Sequence, residues 1–244
     1  MFEFDPDMGQ RGWRKYSQND EDGVLDYIFS IIPPGPQGRF FVEFGVGPPW
    51  ERTLEECGLE ANCRLLKEKG WRGLFLDAQC YPDEYDVKQE RIDAINVNPI
   101  LRKYGVPENM DLISIDVDGQ DFWIWSNLVY FPSVVVIEYN ANLAVDESKV
   151  IPFNVSYQWD GTKWFGASLR AFNNLAKSKG YLLTYANGVN AFFIQASLVK
   201  NKQDFCFEKL YRFRDLHRPD ALRRMWVLIP EAPSAGSVCS PVPS

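Results

Sequence analysis

The chain has 244 residues and a net charge of −7 at pH 7, with 45% hydrophobic and 24% charged residues. That composition excludes a disordered chain and a membrane-embedded one, and makes one domain of ordinary to large size the expectation. An acidic chain without a Lys/Arg block lacks the electrostatic footprint that holds a phosphate backbone, which argues against nucleic acid as a substrate.

Residues 1–16 read as a polar N-terminal arm with one aromatic anchor, Trp13, and no apolar stretch of the export-signal type. Asn19 or Asp20 is placed to cap a helix whose Val24, Leu25, Ile28, Phe29 and Ile32 recur at spacings of three and four, and Pro33 and Pro34 stop it. The run from Arg39 to Phe44 is short, continuous and rich in aromatic and β-branched residues, as a buried strand of a parallel sheet should be. Leu59, Cys63 and Leu66 mark one face of a second helix that closes at Gly70, with Lys67 and Lys69 in its last turn. A strand from Gly73 to Asp77 follows, then a polar stretch, then a strand from Asp111 to Asp116 and an aromatic helix from Phe122 to Leu128. Ser133 to Glu138 is the clearest strand in the chain.

Residues 140–165 show no period and are long for a plain connection; Phe153, Tyr157, Trp159, Trp164 and Phe165 make this segment an ordered lid over a substrate. Ser168 caps a helix carrying Leu169, Phe172 and Leu175 that ends at Gly180. Strands at Tyr181–Tyr185 and Val189–Ile194 form a closing hairpin across Asn187-Gly188. A charged helical region near 203–217 and a Pro/Ser-rich tail complete the chain. The division that results is an arm (1–16), a main domain (17–200) containing the lid, a C-terminal helical extension (201–230) and a tail (231–244). Strands alternating with helices make an α/β protein with a doubly wound sheet and helices on both faces. The final hairpin puts one antiparallel strand at an otherwise parallel edge.

Cys57, Cys63, Cys80, Cys206 and Cys239 are odd in number and contain no CxxC pair, which fits reduced thiols in a cytoplasmic protein better than disulfides or a zinc site. No run of 18 apolar residues occurs, so no membrane partner is expected.

In a sheet of this kind ligands bind outside the carboxyl ends of the strands. Those ends read Glu43-Phe-Gly45-Val-Gly47, Asp77, Asp116-Val-Asp118-Gly119 and Glu138-Tyr-Asn140. A buried unpaired carboxylate is costly, so four successive strands ending in one point to a site. Gly45 and Gly47 let the backbone turn tightly beside a ligand. They are not the dinucleotide fingerprint, because Trp50 stands where its third glycine is required. With no Tyr-x-x-x-Lys couple either, an NAD-dependent oxidoreductase on a Rossmann sheet is the disfavoured alternative. Asp77 suits the two hydroxyls of a ribose. Asp116, Glu138 and Asn140 are oxygen donors on adjacent strand ends, suited to a hard cation such as magnesium (Mg2+). Asp116 to Asp121 fails as an EF-hand loop, since Asp121 and Asn127 occupy positions 6 and 12. Asp118 and Asp121 can instead favour the N-terminus of the next helix. His217, the one histidine, lies in a charged stretch that points to a solvated role, and no GxSxG elbow is present. Proton handling then falls to Asp116, Glu138 or a metal-bound ligand, while Trp123 and Trp125 serve packing.

Phe41 to Gly47, Leu74 to Asp77 and Asp111 to Gly119 resemble motifs I, II and IV of class I S-adenosylmethionine-dependent methyltransferases. More narrowly, Ser17–Asp22, Glu60–Asn62, Gly70–Gly73, Ile137–Asn140 and Asn190–Ile194 resemble the FkbM-type methyltransferases, over residues 16–195. The resemblance implies a Rossmann-like, mostly parallel seven-stranded sheet with its last strand antiparallel, and O-methylation of a small molecule, sugar or glycan precursor. It also implies S-adenosylmethionine held by Glu43, Gly45 and Gly47 at the methionine and sulfonium end. Asn62 would bind polar groups, Asp77 the ribose, Asn96 and Val97 the adenine, with Asp116 at the cofactor–substrate boundary. Gln18 and Asn19 would close over the amino-acid moiety. Some related enzymes use a divalent metal at comparable strand ends. Here Glu138-Tyr-Asn140 replaces a paired Asp-Asp, which leaves Mg2+ open, as are the formation of a homo-oligomer and a non-catalytic S-adenosylmethionine-binding role.

Overall fold

The computed structural model describes residues 1–35, 37–48, 53–215, 219 and 224–231. Trp50, His217, Cys239, the side chain of Cys57 and the tail beyond Glu231 lie outside the described residues.

Helix α1 (Glu21–Ile31) buries Val24, Leu25, Ile28 and Phe29 along its apolar stripe and gives way to extended backbone at Ile32, before the proline pair. It feeds β1 (Phe40–Phe44), whose neighbours are β2 (Arg72–Asp77) on one side and β4 (Leu112–Ile115) on the other, both parallel. Beyond β2 lies β3 (Val87–Gln89), and beyond β4 lies β5 (Val134–Glu138), again parallel. Strands β7 (Tyr181–Ala186) and β8 (Asn190–Gln195) complete a seven-stranded sheet of order β3-β2-β1-β4-β5-β8-β7. The chain leaves β1 in one direction and returns at β4 to proceed in the other. The β1/β4 junction is therefore the place where a crevice opens at the strand ends.

The antiparallel strand is not at the edge. β8 is antiparallel to both β5 and β7 and sits between them, so that β7 forms the margin. Ala191, Phe192, Phe193 and Ile194 are fully buried, a pattern that needs cover on both faces and a strand on either side. β7 carries a register shift between Leu183 and Tyr185, of the kind edge strands tolerate.

Three other expectations change. The polar stretch after Asp77 contains β3 and a helix, α4 (Val97–Lys103). The helix expected around Leu59 is two short ones, α2 (Leu54–Cys57) and α3 (Arg64–Glu68). Gly58 ends α2 at φ +71°, and the next residues run extended because Glu60 pairs with Gly47. The N-terminal arm is anchored by buried Phe4 and Met8, whereas Trp13 is 43% exposed. The backbone N–H and C=O of Phe4 are both held by the Asn201 amide. α5 (Asp121–Asn127) and α6 (Leu169–Ser178) form as expected, and the Ser168 hydroxyl accepts the Ala171 N–H as the cap of α6. After residue 200 the described residues hold a 3-10 turn (Lys202–Asp204), the single turn of α7 (Phe207–Leu210), and β9 (Val227–Leu228). β9 pairs with β6 (Lys149–Val150) in segment 140–165, so the extension ties that segment down.

Candidate functional site

The ends of β2, β1, β4 and β5, adjacent in the sheet, carry Asp77, Glu43, Asp116 and Glu138 into one cleft of about 810 Å³. Gly45 makes the convergence sterically feasible. It has φ +74°, and a Cβ there would lie 1.5 Å from the carbonyl oxygen of Asp116, so the backbones leaving β1 and β4 cross in near contact. Gly47 has no such requirement; a Cβ would meet only the Tyr81 hydroxyl, at 3.7 Å. Its value is an open wall facing the cleft.

Glu43 is 2% exposed and acts as a clamp. One carboxylate oxygen accepts the Asn62 N–H at 2.7 Å and the other accepts the Cys63 N–H at 2.8 Å. The Asn62 side chain donates to Ser114 on β4 at 3.1 Å, so the loop before α3 is pinned across two strands. Burial pushes the Glu43 carboxyl up to about 7, against the lowering effect of those two N–H donors. Its folded pKa then exceeds its unfolded one, so the native state binds the extra proton between pH 4.5 and 7. Stability is therefore expected to fall as pH rises through that window, by about 3 kcal/mol from this group, with the cost fully present above pH 7. Urea unfolding of wild type and Glu43→Gln from pH 5 to 8 checks it: the difference between the two should vary with pH in that sense, and a pH-independent difference contradicts it.

Asp77 is half-buried and braces two turns, accepting the Val46 N–H at 3.0 Å and the Gln79 N–H at 2.7 Å. Burial raises its pKa, with both hydrogen bonds opposing. The Asp116 carboxyl is raised well above the usual carboxylate range, by loss of hydration first and then by the charges of Asp118 and Asp121. Asp121 organises the β4–α5 turn by accepting the N–H groups of Val117 and Gly119, both at 2.8 Å. Among the described residues lining the cleft, eight carboxyl groups face one cation, Arg91, and even with Glu43 and Asp116 raised by burial the acidic groups outnumber it, so the field favours a positively charged ligand.

Gln18 and Asn62 also line this cleft, but four expected site residues do not, Asn19 among them, whose N–H and Nδ2 donate to Glu21 instead. Asn96 is engaged with Asp93 N–H and Arg91 C=O at the start of α4, and Val97 is fully buried in the core. The cleft wall on that side is Ile92 and Asp93 instead. Asn140 is fully buried and donates to the carbonyls of Lys163 and Phe165, stapling the lid at its base, while its oxygen accepts from Asn142. Its amide is thus engaged within segment 140–165, away from the cleft lining. The oxygens that do come together are those of Asp116, Asp118 and Glu138, all within 4.8 Å of one another.

Tyr157 and Trp159 line the cleft, and Arg91 donates to the Tyr157 carbonyl at 2.8 Å. Trp123 is part of this anchorage, donating to Ile151 at 2.8 Å, whereas Trp125 is buried core. Sequence patterns missed Arg91 and Ile92 because β3, which carries the chain to them, is only three residues long. Asp118 was legible as the second carboxylate of Asp-x-Asp at a strand end. Asn190 was legible only as a polar residue within an otherwise apolar strand.

No described helix is long and apolar enough to cross a membrane. Comparison of the chain with protein-family models, with curated proteins and with solved structures finds no match.

Proposed function

We propose that this chain is an S-adenosylmethionine-dependent methyltransferase of the Rossmann-like class I fold, transferring a methyl group to a hydroxyl of a small molecule such as a sugar, glycan precursor or natural product. One observation carries the reading: four carboxylates on adjacent parallel strands surround a single cleft entered past Gly45. The cleft volume lies within the range of small-molecule sites, and its acidic lining matches a ligand bearing a sulfonium and an ammonium. FkbM-type sequence features and the reversal of strand order at β1/β4 support the same reading.

When bound, S-adenosylmethionine supplies an electrophilic methyl group on sulfur. The chain's own residues then have three tasks. Asp77 offers both carboxylate oxygens toward ribose hydroxyls, each oxygen retaining a lone pair beyond its backbone N–H bond. Glu43 holds the 60–63 loop rigid beside the methionine end. Asp116 or Glu138 takes the proton of the acceptor hydroxyl as the oxygen–methyl bond forms and the sulfur–methyl bond breaks. Burial and the neighbouring charges of Asp118 and Asp121 raise the Asp116 carboxyl, which strengthens its ionised form as a proton acceptor. Alignment of three atoms in line is worth about 7–11 kcal/mol in well-oriented systems, and Tyr157 and Trp159 form part of the cleft wall beside the reacting groups.

Calorimetric titration with S-adenosylmethionine, S-adenosylhomocysteine and NADH tests this directly. Micromolar binding of both adenosyl compounds is expected, tighter for the sulfonium because of its added charge, with no heat from NADH. Binding of NADH alone would overturn the assignment.

A further inference from the structure

We infer that Asp116, Asp118 and Glu138, joined by the side-chain oxygen of Asn190, form a binding site for one divalent cation of the Mg2+ or Mn2+ type. The three carboxylates come from the end of β4, the turn after it and the end of β5, and their oxygens lie within 4.8 Å of one another. Ligands around an octahedral ion with bonds of roughly 2.1 Å sit about 3 Å apart when adjacent, a distance that small side-chain rotations reach from here. All three residues border the same cleft, where the charge that the lining itself supplies to oppose theirs is Arg91.

The second observation is independent of the acidic cluster. Asn190 is directly opposite Glu138 in the antiparallel β5/β8 pair, so their side chains share a face. It lines the cleft, is 3% exposed, and its Oδ1 is buried without a hydrogen-bond partner. The orientation of this amide is set by chemistry: Nδ2 donates to Glu21 Oε1 at 2.9 Å, and the reverse orientation would place oxygen against oxygen. Glu21 is itself held by Asn187 at 2.8 Å. A carbonyl oxygen deprived of donors is expensive to bury. On the strand opposite Glu138 and lining the same cleft, it adds a hard oxygen donor of the kind that binds magnesium and manganese. Its placement, at the start of β8 next to β5, follows from the insertion of β8 between β5 and β7.

The role of the ion rests on the methyltransferase reading: at the substrate end of the cleft, a bound divalent cation acidifies a hydroxyl that reaches it. The site itself can be tested without turnover. Titrating the full chain with Mn2+, free of any cofactor, and following the loss of the free-ion electron paramagnetic resonance signal should reveal one site per chain, displaced by excess Mg2+. Asp118→Asn and Glu138→Gln should each weaken Mn2+ binding by at least about 10-fold, and Asn190→Ala by several-fold. Glu60→Gln, a cleft carboxylate outside the cluster, should leave it unchanged. Asp118 is solvent-exposed, so its substitution spares the fold. Absence of bound Mn2+ at millimolar concentration, or equal binding by wild type and Asp118→Asn, overturns the proposal. S-adenosylhomocysteine binding measured on the same samples separates the two ideas: Mn2+ bound at this site with no adenosyl binding would uphold the cation site and remove the methyltransferase assignment.

Discussion

Gly45→Ala is expected to destabilise the protein by about 4 kcal/mol or more, lowering its melting midpoint by about 10 °C or leaving it insoluble. Two effects add. A left-handed backbone conformation costs a residue with a Cβ roughly 1–2 kcal/mol. The larger cost is steric, because the new methyl would lie 1.5 Å from the Asp116 carbonyl oxygen, and both neighbours are backbone in a paired sheet. Neither β1 nor β4 can retreat without breaking its ladder. Gly70→Ala separates the two contributions, since Gly70 has φ +87° but nothing within 4 Å of the position its new methyl would take. Its loss of stability should match the conformational cost alone. Calorimetric melting of both variants checks the argument, and similar midpoints for the two would refute the steric part.

The second large effect concerns affinity. Asp77→Ala should weaken S-adenosylhomocysteine binding at least about 100-fold, since hydrogen bonds to a charged group contribute about 1.5–3 kcal/mol each and two ribose hydroxyls are at stake. The carboxylate also braces Val46 and Gln79, so part of any loss could arise from a displaced loop. A ligand comparison resolves this. Against an analogue lacking the ribose hydroxyls, Asp77→Ala should lose far less affinity than against the parent compound. An equal loss for both ligands would assign Asp77 to loop support alone, and unchanged affinity for the parent would remove it from the site.

Several features of the site were readable from residues because their physics is local. A strand buried on both faces must be apolar along its length, so Phe41–Phe44 and Val134–Ile137 stand out, and a carboxylate at the end of such a run is conspicuous. Ser168 and Gly180 bracket α6 through chemistry confined to one turn. β3 escaped notice because three half-polar residues form no pattern, and with the unforeseen start of α4 it is Ile92 and Asp93, not Asn96 and Val97, that line the cleft.

Strand identity, the four acidic strand ends and the need for glycine near the first turn were thus determined by the order of residues alone, since burial and backbone sterics act over a few positions. Which oxygens meet was decided by the assembled sheet. Asn140 and Asp118 each lie two residues beyond a strand-end carboxylate, yet one turns into the lid base and the other toward Glu138. Asn190 lies opposite Glu138 only because the final strand inserts inside the edge. Such choices depend on partners far along the chain, as Glu138 is from Asn190, and on which neighbour offers a donor, a property of packing in three dimensions that no local pattern encodes.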